Sequence, residues 1–292
     1  MKKSLGRNIQ IGILLLPGLL LFGMFTLYPI VKLFIMSFFD WNFGSMFNQS
    51  FIGFANYAEV IKDTFFQTAF VNSIVYTFVT VPAQMLIGLL VAMLIDQIRH
   101  LKIGFRVMYY LPVITSWVIA SLVFKYIFNT EGLLNYFLTN IISVSNTNIR
   151  WLDTRWSGLT VAMLLGTWKG IGWNMVVFLA ALQTVPTDLY EVASIDGANA
   201  LDKFFHVILP CIKSTILFAL VMLTIGGFNV FTSIKLITGG NPGHQTDTIL
   251  TWMYYKAFSA GKFGYSAALS FVIAVVLGIL ALIQFRLMNA DS

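Results

Sequence analysis

Charge is what this sequence has least of. Lys, Arg, Asp and Glu make up 10% of its 292 residues, against 58% hydrophobic, whereas soluble domains carry about 25% charged residues. So few charges cannot cover the surface of a water-soluble domain of this length, which points to lipid as the solvent. Cysteine is nearly missing: Cys211 stands alone, which excludes an intramolecular disulfide and a cysteine-based metal site. The three histidines, His100, His206 and His244, are scattered and no HExxH pair occurs, so no metal-hydrolase constellation is offered. A GxxxxGK[ST] phosphate loop is absent too, so the chain cannot hydrolyse ATP itself. Asp and Glu do not occur inside the long apolar stretches. That weighs against a carrier driven by an ion gradient, which needs carboxylates or a broken helix near the midplane. The basic excess of 18 Lys and Arg over 12 Asp and Glu contains no long basic run, which speaks against nucleic acid.

What is present is segmented hydrophobicity. Uncharged runs extend over Asn8–Val31, Thr64–Ile95, Val107–Phe124, Ser214–Ile234 and Phe263–Phe285, and a further run, Ser157–Leu182, is interrupted by Lys169 alone. A bilayer core of about 30 Å takes about 20 helical residues, and every run must be helical because a lone strand would leave its backbone groups unpaired in hydrocarbon. The expectation is an all-α integral membrane protein with six transmembrane helices, near 9–37, 68–96, 105–128, 157–182, 212–235 and 263–287, forming a single polytopic domain over 1–292. The first run exceeds the roughly 7–15 residues of a signal-peptide core and lacks a small-residue cleavage site, so it reads as a retained helix. Six spans put both termini on one side. Basic residues divide almost evenly between the two faces. Lys2, Lys3 and Arg7 before the first span against Lys32 after it, with Arg99, Lys102 and Arg106 in the short 97–106 segment, favour cytoplasmic termini.

The most informative segment is the inner loop 183–210. It holds four acids, Asp188, Glu191, Asp196 and Asp202, on a face that usually favours basic residues. Pro186 and Thr187 open a short helix, with Thr187 as N-cap and Asp188 in its first turn. Gly197 falls where a left-handed helix end belongs, and Asn199 with Asp202 can form a capping box for a second helix. Leu201, Phe204, Phe205 and Ile208 recur at i, i+3, i+4 and i+7, an apolar stripe on that helix. A helix–Gly–helix element of this kind is either a docking knob or an amphipathic hairpin lying on headgroups.

Glu191-Val192-Ala193, Gly197 and Val207-Ile208-Leu209-Pro210 resemble the cytoplasmic signature loop of permeases from binding-protein-dependent ATP-binding cassette importers. The string Leu189-Tyr190-Glu191 through Ile195-Asp196-Gly197-Ala198 resembles the carbohydrate-uptake branch. Gly53 with Asn56-Tyr57, Leu111-Pro112, Trp168-Lys169, Leu236-Ile237-Thr238-Gly239-Gly240, and Phe263-Gly264-Tyr265 with Ala267-Ala268 extend the likeness over nearly the whole chain. The resemblance implies a transport subunit of the bacterial plasma (inner) membrane, not an enzyme, working by alternating access. Its ATPase-coupling residues would be Glu191, Ala193, Asp196, Gly197, Ala198, Leu209 and Pro210. The implied partners are a second homologous permease subunit, two cytoplasmic ATPase subunits and an extracellular solute-binding protein. This chain would hold no cofactor, with ATP and Mg used by the ATPase.

A sugar pathway calls for hydrogen-bonding side chains and an aromatic platform facing a wet cavity. The fourth span offers Trp168, Lys169, Gly170, Trp173 and Asn174. The fifth offers Gly227, Phe228, Asn229 and Thr232. The resemblance puts Gly170, Trp173, Gly227 and Val230 near family contact positions. Asn229 is the foremost polar candidate, or else a helix–helix hydrogen bond. Lys169 could meet an anionic substrate, pair with a partner subunit, or snorkel outward. Trp117 and Gln84 are lesser candidates, while Trp41, Trp151 and Trp156 suit an interfacial belt.

Overall fold

The computed structural model describes residues 2–44, 49–98, 100–143 and 147–289; Arg99, counted above in the 97–106 segment, lies outside them. Helix α1 (Lys2–Phe22) runs through a π-helical turn at Gly23–Leu27 into α2 (Tyr28–Met36). The wider turn sits just ahead of Pro29, which lacks the N–H an α-helix would use there and crowds the turn before it. A two-stranded antiparallel ribbon follows, β1 (Phe39–Asp40) on β2 (Ser50–Phe51), with Phe39 opposite Phe51. Then come α3 (Ala55–Lys62), α4 (Thr64–Gln97), α5 (Lys102–Ile114), α6 (Trp117–Ile127) and α7 (Leu133–Tyr136), the last continued by a π turn at Phe137–Ile141. The long α8 (Arg155–Leu182) precedes α9 (Thr187–Ile195), α10 (Ala200–Lys203), a π turn at Phe204–Ile208, and α11 (Leu209–Cys211). Last are α12 (Lys213–Phe228), α13 (Thr232–Ile237), α14 (Ile249–Tyr254) and α15 (Phe263–Asn289).

Among the described residues, five helical stretches are long and apolar enough to cross a membrane, and α5 with α6 makes a sixth if that bent pair counts as one span. The sequence suggested an unbroken third helix over 105–128. Instead the chain turns by 90° between α5 and α6, with Thr115 and Ser116 both extended, at ψ 137° and 134°. Ser116 restarts the helix as its N-cap, its Oγ accepting from the Val118 amide at 3.3 Å. The fifth span is also interrupted: α12 stops at Phe228 and α13 starts at Thr232.

The chain divides into two compact units. The first comprises the residues up to Asp63 with Met253–Val276. Its motif residues converge on the ribbon. Asn56 Nδ2 donates to the Ser37 and Phe39 carbonyls at 2.9 and 3.0 Å, Tyr57 Oη meets Ser37 Oγ at 2.8 Å, and Tyr265 donates to Asp63 at 2.8 Å. Gly264 lies against the Phe39 and Met36 carbonyls, where a Cβ would not fit.

The second unit, Thr64–Trp252 with Leu277 onward, centres on α4 and α8. Tyr76, Thr80, Gln84 and Gly88 recur every four residues on α4 and so share one face. Against them stand Gly166, Gly170 and Asn174, at the same interval on α8. A Cβ on Gly166 would meet the Tyr76 hydroxyl, one on Gly170 the Gln84 amide, and one on Gly88 the Asn174 side chain. Small residues let backbones approach closely where lipid supplies no hydrophobic drive between helices. Below this ladder, Leu89, Ala92 and Ile95 pack with Met175, Phe178, Leu182 and Ile212.

Candidate functional site

Two places in the second unit carry chemistry: a cavity between the broken spans and the loop 183–210. The cavity has a volume of about 480 Å³, within the ~300–1,000 Å³ common for ligand sites. Of the residues expected in the pathway, it brings together Lys169, Gly170, Trp173, Gly227, Asn229 and Val230. Phe228 is instead buried beside Phe70, and Asn174 is buried with Nδ2 donating to the Gly170 carbonyl at 2.9 Å. Trp168 does not line the cavity either; its ring lies 5.7 Å from that of Phe124. The two lesser candidates, Gln84 and Trp117, are both in the wall, as is Thr232.

Tyr76, Thr80 and Ser233 also line it, and sequence reasoning passed them over. A polar side chain on an apolar helix reads the same whether it faces a cavity or bonds a neighbour. Only the four-residue interval linking them to Gln84 could have flagged Tyr76 and Thr80. Thr80 and Thr77 spend their hydroxyls on carbonyls one turn back, at 2.8 and 2.7 Å. The carboxamides of Gln84 and Asn229, by contrast, make no side-chain hydrogen bond among the described residues.

Lys169 is engaged with the protein. It is 3% exposed, and its Nζ donates to the Pro112 and Thr115 carbonyls at 2.6 and 2.5 Å, 4.8 Å from the centre of the Trp117 ring. Those carbonyls are the ones that the break after α5 strips of helical partners. The ammonium thus closes the C-terminal end of α5, where the helix dipole also favours a cation.

The second break is closed by a distant loop. The Val230 carbonyl accepts from Thr248 Oγ1 at 3.0 Å. Asn72 on α4 holds that loop through the Gln245 and Asp247 carbonyls, both at 2.7 Å, and receives Arg155 Nε at 2.9 Å. In the Leu236-to-Gly240 motif both glycines are left-handed, at φ 63° and 88°, and the Asp247 carboxylate fills the space where a Gly240 side chain would go.

The loop 183–210 is built by local capping. Pro186, not Thr187, occupies the N-cap of α9, and no side chain caps that end. Proline fixes the extended entry and pushes Thr187 into the first turn. Gly197 is left-handed at φ 79°, and the Ala198 amide returns to the Ala193 carbonyl at 2.9 Å, a Schellman closure. Asn199 Oδ1 accepts from the Leu201 and Asp202 amides while Asp202 Oδ2 accepts from the Asn199 amide at 3.0 Å, the full capping box. The α-helical stripe expected beyond it is split. The π turn at Phe204–Ile208 shifts the register, so Phe204 and Ile208 face the core while Leu201 and Phe205 stay exposed.

No residue of α9 is buried. Leu189, Val192 and Ile195, the last 85% exposed, share its surface with the exposed carboxylates of Asp188, Glu191 and Asp196. Ala193 and Ala198 are half-buried beside them, Leu209 packs on the core, and Pro210 is exposed. Tyr190 anchors the helix against the same core. Burial raises the pKa of its hydroxyl, with the Asp96 carboxylate and Cys211 adding to the effect.

Residues 52–290 match the family described as binding-protein-dependent transport system inner membrane component. The chain belongs to that family. It is a permease, a multi-pass transport subunit and not an enzyme. The permease is similar to the arabinooligosaccharides transport system permease protein AraP of Bacillus subtilis, 33% identical over 93% of this chain and 86% of the relative. It is 31% identical to the lactose transport system permease protein LacF of Rhizobium radiobacter, over 92% of this chain and 90% of the relative. Its fold is that of a chain in the crystal structure of a bacterial transporter involved in the import of the acidic polysaccharide alginate. The TM-score is 0.83 at 24% identity, covering 99% of this chain and 98% of that one.

Proposed function

We propose that this permease forms half of the translocation pathway for a carbohydrate, an oligosaccharide or related sugar delivered by an extracellular binding protein, in a bacterial plasma membrane. The observation that carries the reading is the mixed wall of the cavity. The indoles of Trp117 and Trp173 stand with Gln84 and Asn229, aromatic platforms beside amides free to bond hydroxyl groups. Relatives named for arabinooligosaccharides and lactose support the same class. A neutral sugar fits better than an anion, because the Lys169 ammonium is spent on the α5 carbonyls.

The loop 183–210 is the coupling element, set in a cleft of a cytoplasmic ATPase, with Glu191 as its polar contact and Gly197 permitting the turn. Closure of two ATPase subunits, which carry the ATP and Mg, moves this loop and re-tilts the spans between inward- and outward-open states. Both termini are then cytoplasmic, and a second homologous permease completes the pathway. The exposed apolar and acidic surface of α9 supports docking on a protein, since headgroups attract basic helices.

The test is affinity purification of the tagged chain from its native membrane, followed by uptake assays of the recovered assembly in ATP-loaded vesicles. Co-purification of an ATPase, a second permease and a binding protein, with ATP-dependent uptake of a neutral oligosaccharide, is the expected result. A chain that emerges alone in gentle detergent and transports without ATP would be a gradient-driven carrier.

A further inference from the structure

A second groove, apart from the cavity, lies along α5 where it flanks α8. Its volume is about 460 Å³ and its walls are Arg106, Val107, Tyr110, Leu111, Ile114 and Val176. The two helices meet at Gly172, whose missing side chain admits the Tyr109 carbonyl. Val176, one turn further along α8, forms that helix's side of the groove.

The groove has the depth of one leaflet. From Arg106 to Ile114 the helix rises eight residue steps, about 12 Å at ~1.5 Å per residue, close to half of a ~30 Å hydrocarbon core. Arg106 is the charge bordering the uncharged run Val107–Phe124, so it lies where hydrocarbon gives way to headgroups. Ile114 adjoins the turn at Thr115 and Ser116, the middle of the same run.

The basic end carries an unpartnered donor. Arg106 Nε is buried with no hydrogen-bond partner, and its guanidinium has no ion pair among the described residues. Lys102, one turn away, is already held by Asp96 at 2.9 Å. A buried donor left without an acceptor is costly, and a guanidinium fork matches a phosphate.

From this placement we propose that the groove binds one acyl chain of an anionic phospholipid, with the lipid phosphate on Arg106. A transmembrane helix from another subunit is the competing occupant. It would extend through both leaflets, whereas this groove ends at Ile114, where the chain turns away by 90°.

The intact assembly, purified in mild detergent, tests this by native mass spectrometry with added phosphatidylglycerol or phosphatidylcholine of the same acyl chains. The wild type is expected to retain phosphatidylglycerol preferentially. Arg106→Gln should lower that retention about five-fold, the effect of one basic residue at a lipid surface, and lower phosphatidylcholine retention less, because choline already neutralises its phosphate. Ile114→Trp, which fills the apolar end, should lower both. Lys203→Gln, a basic residue elsewhere, should change neither. Unaltered phosphatidylglycerol retention in Arg106→Gln overturns the assignment. If that variant fails to accumulate, a benzophenone side chain at Ile114 in native membranes decides: a lipid adduct supports the site, and a protein adduct or none refutes it.

Discussion

The cavity and the loop 183–210 belong to one compact unit and are made in opposite ways. The cavity exists because distant segments constrain each other. Gly166 and Gly170 let α4 approach α8, Lys169 closes the end of α5, and Thr248 closes the end of α12. The loop exists because neighbours in sequence cap each other: Ala193 with Ala198 across Gly197, and Asn199 with Asp202. A region built by long-range closure should fail globally when one contact is lost. A region built by local caps should lose only itself.

The largest loss is expected from Lys169→Met. It strands the Pro112 and Thr115 carbonyls, each worth about 1–3 kcal/mol when left buried and unpaired. Melting of the detergent-solubilised assembly should drop sharply, and an unchanged transition would mean that the break in the third span needs no closing cation. Next is Gly172→Ala, which drives a methyl into the Tyr109 carbonyl. Overpacking of this kind costs about 1–3 kcal/mol, again read as a melting shift. Asn199→Ala should cost about 1 kcal/mol, the usual worth of an N-cap, and hydrogen exchange should report it in α10 alone. Protection lost in α4 or α8 as well would erase the distinction between the two regions.

Smallest in stability, though not in function, is Glu191→Ala. Its carboxylate is exposed, so melting should stay put while ATP-driven uptake falls. Gly197→Asp, forced into φ 79°, should uncouple in the same way with intact membrane insertion. Full coupling in both variants would remove the loop from the drive mechanism.

This contrast also explains what could be read in advance. The loop was legible nearly to the residue because caps use fixed offsets and few residue types. Two things were misread there: the N-cap of α9, which is Pro186 and not Thr187, and the π turn at Phe204–Ile208, since one extra residue in a helix leaves no compositional mark. The six apolar runs were legible as helices, yet absence of charge says nothing about continuity, so the breaks at Thr115-Ser116 and Asn229-Val230-Phe231 were not. The cavity was half legible for the same reason. Trp173 and Asn229 declare themselves by type, whereas Ser233 becomes a wall residue only when α13 is set beside α8.

The clamp on Lys169 bears on the order in which the protein is made. A lysine at the centre of a membrane helix costs about 2.5–3.5 kcal/mol to insert unaided. Chains emerge from the ribosome N-terminal end first, and α5 precedes α8 by some forty residues of sequence. Its two bare carbonyls are therefore already in the bilayer when Lys169 leaves the insertion machinery. The acceptor is laid down before the charge arrives, so synthesis itself delivers the cation to the place that tolerates it.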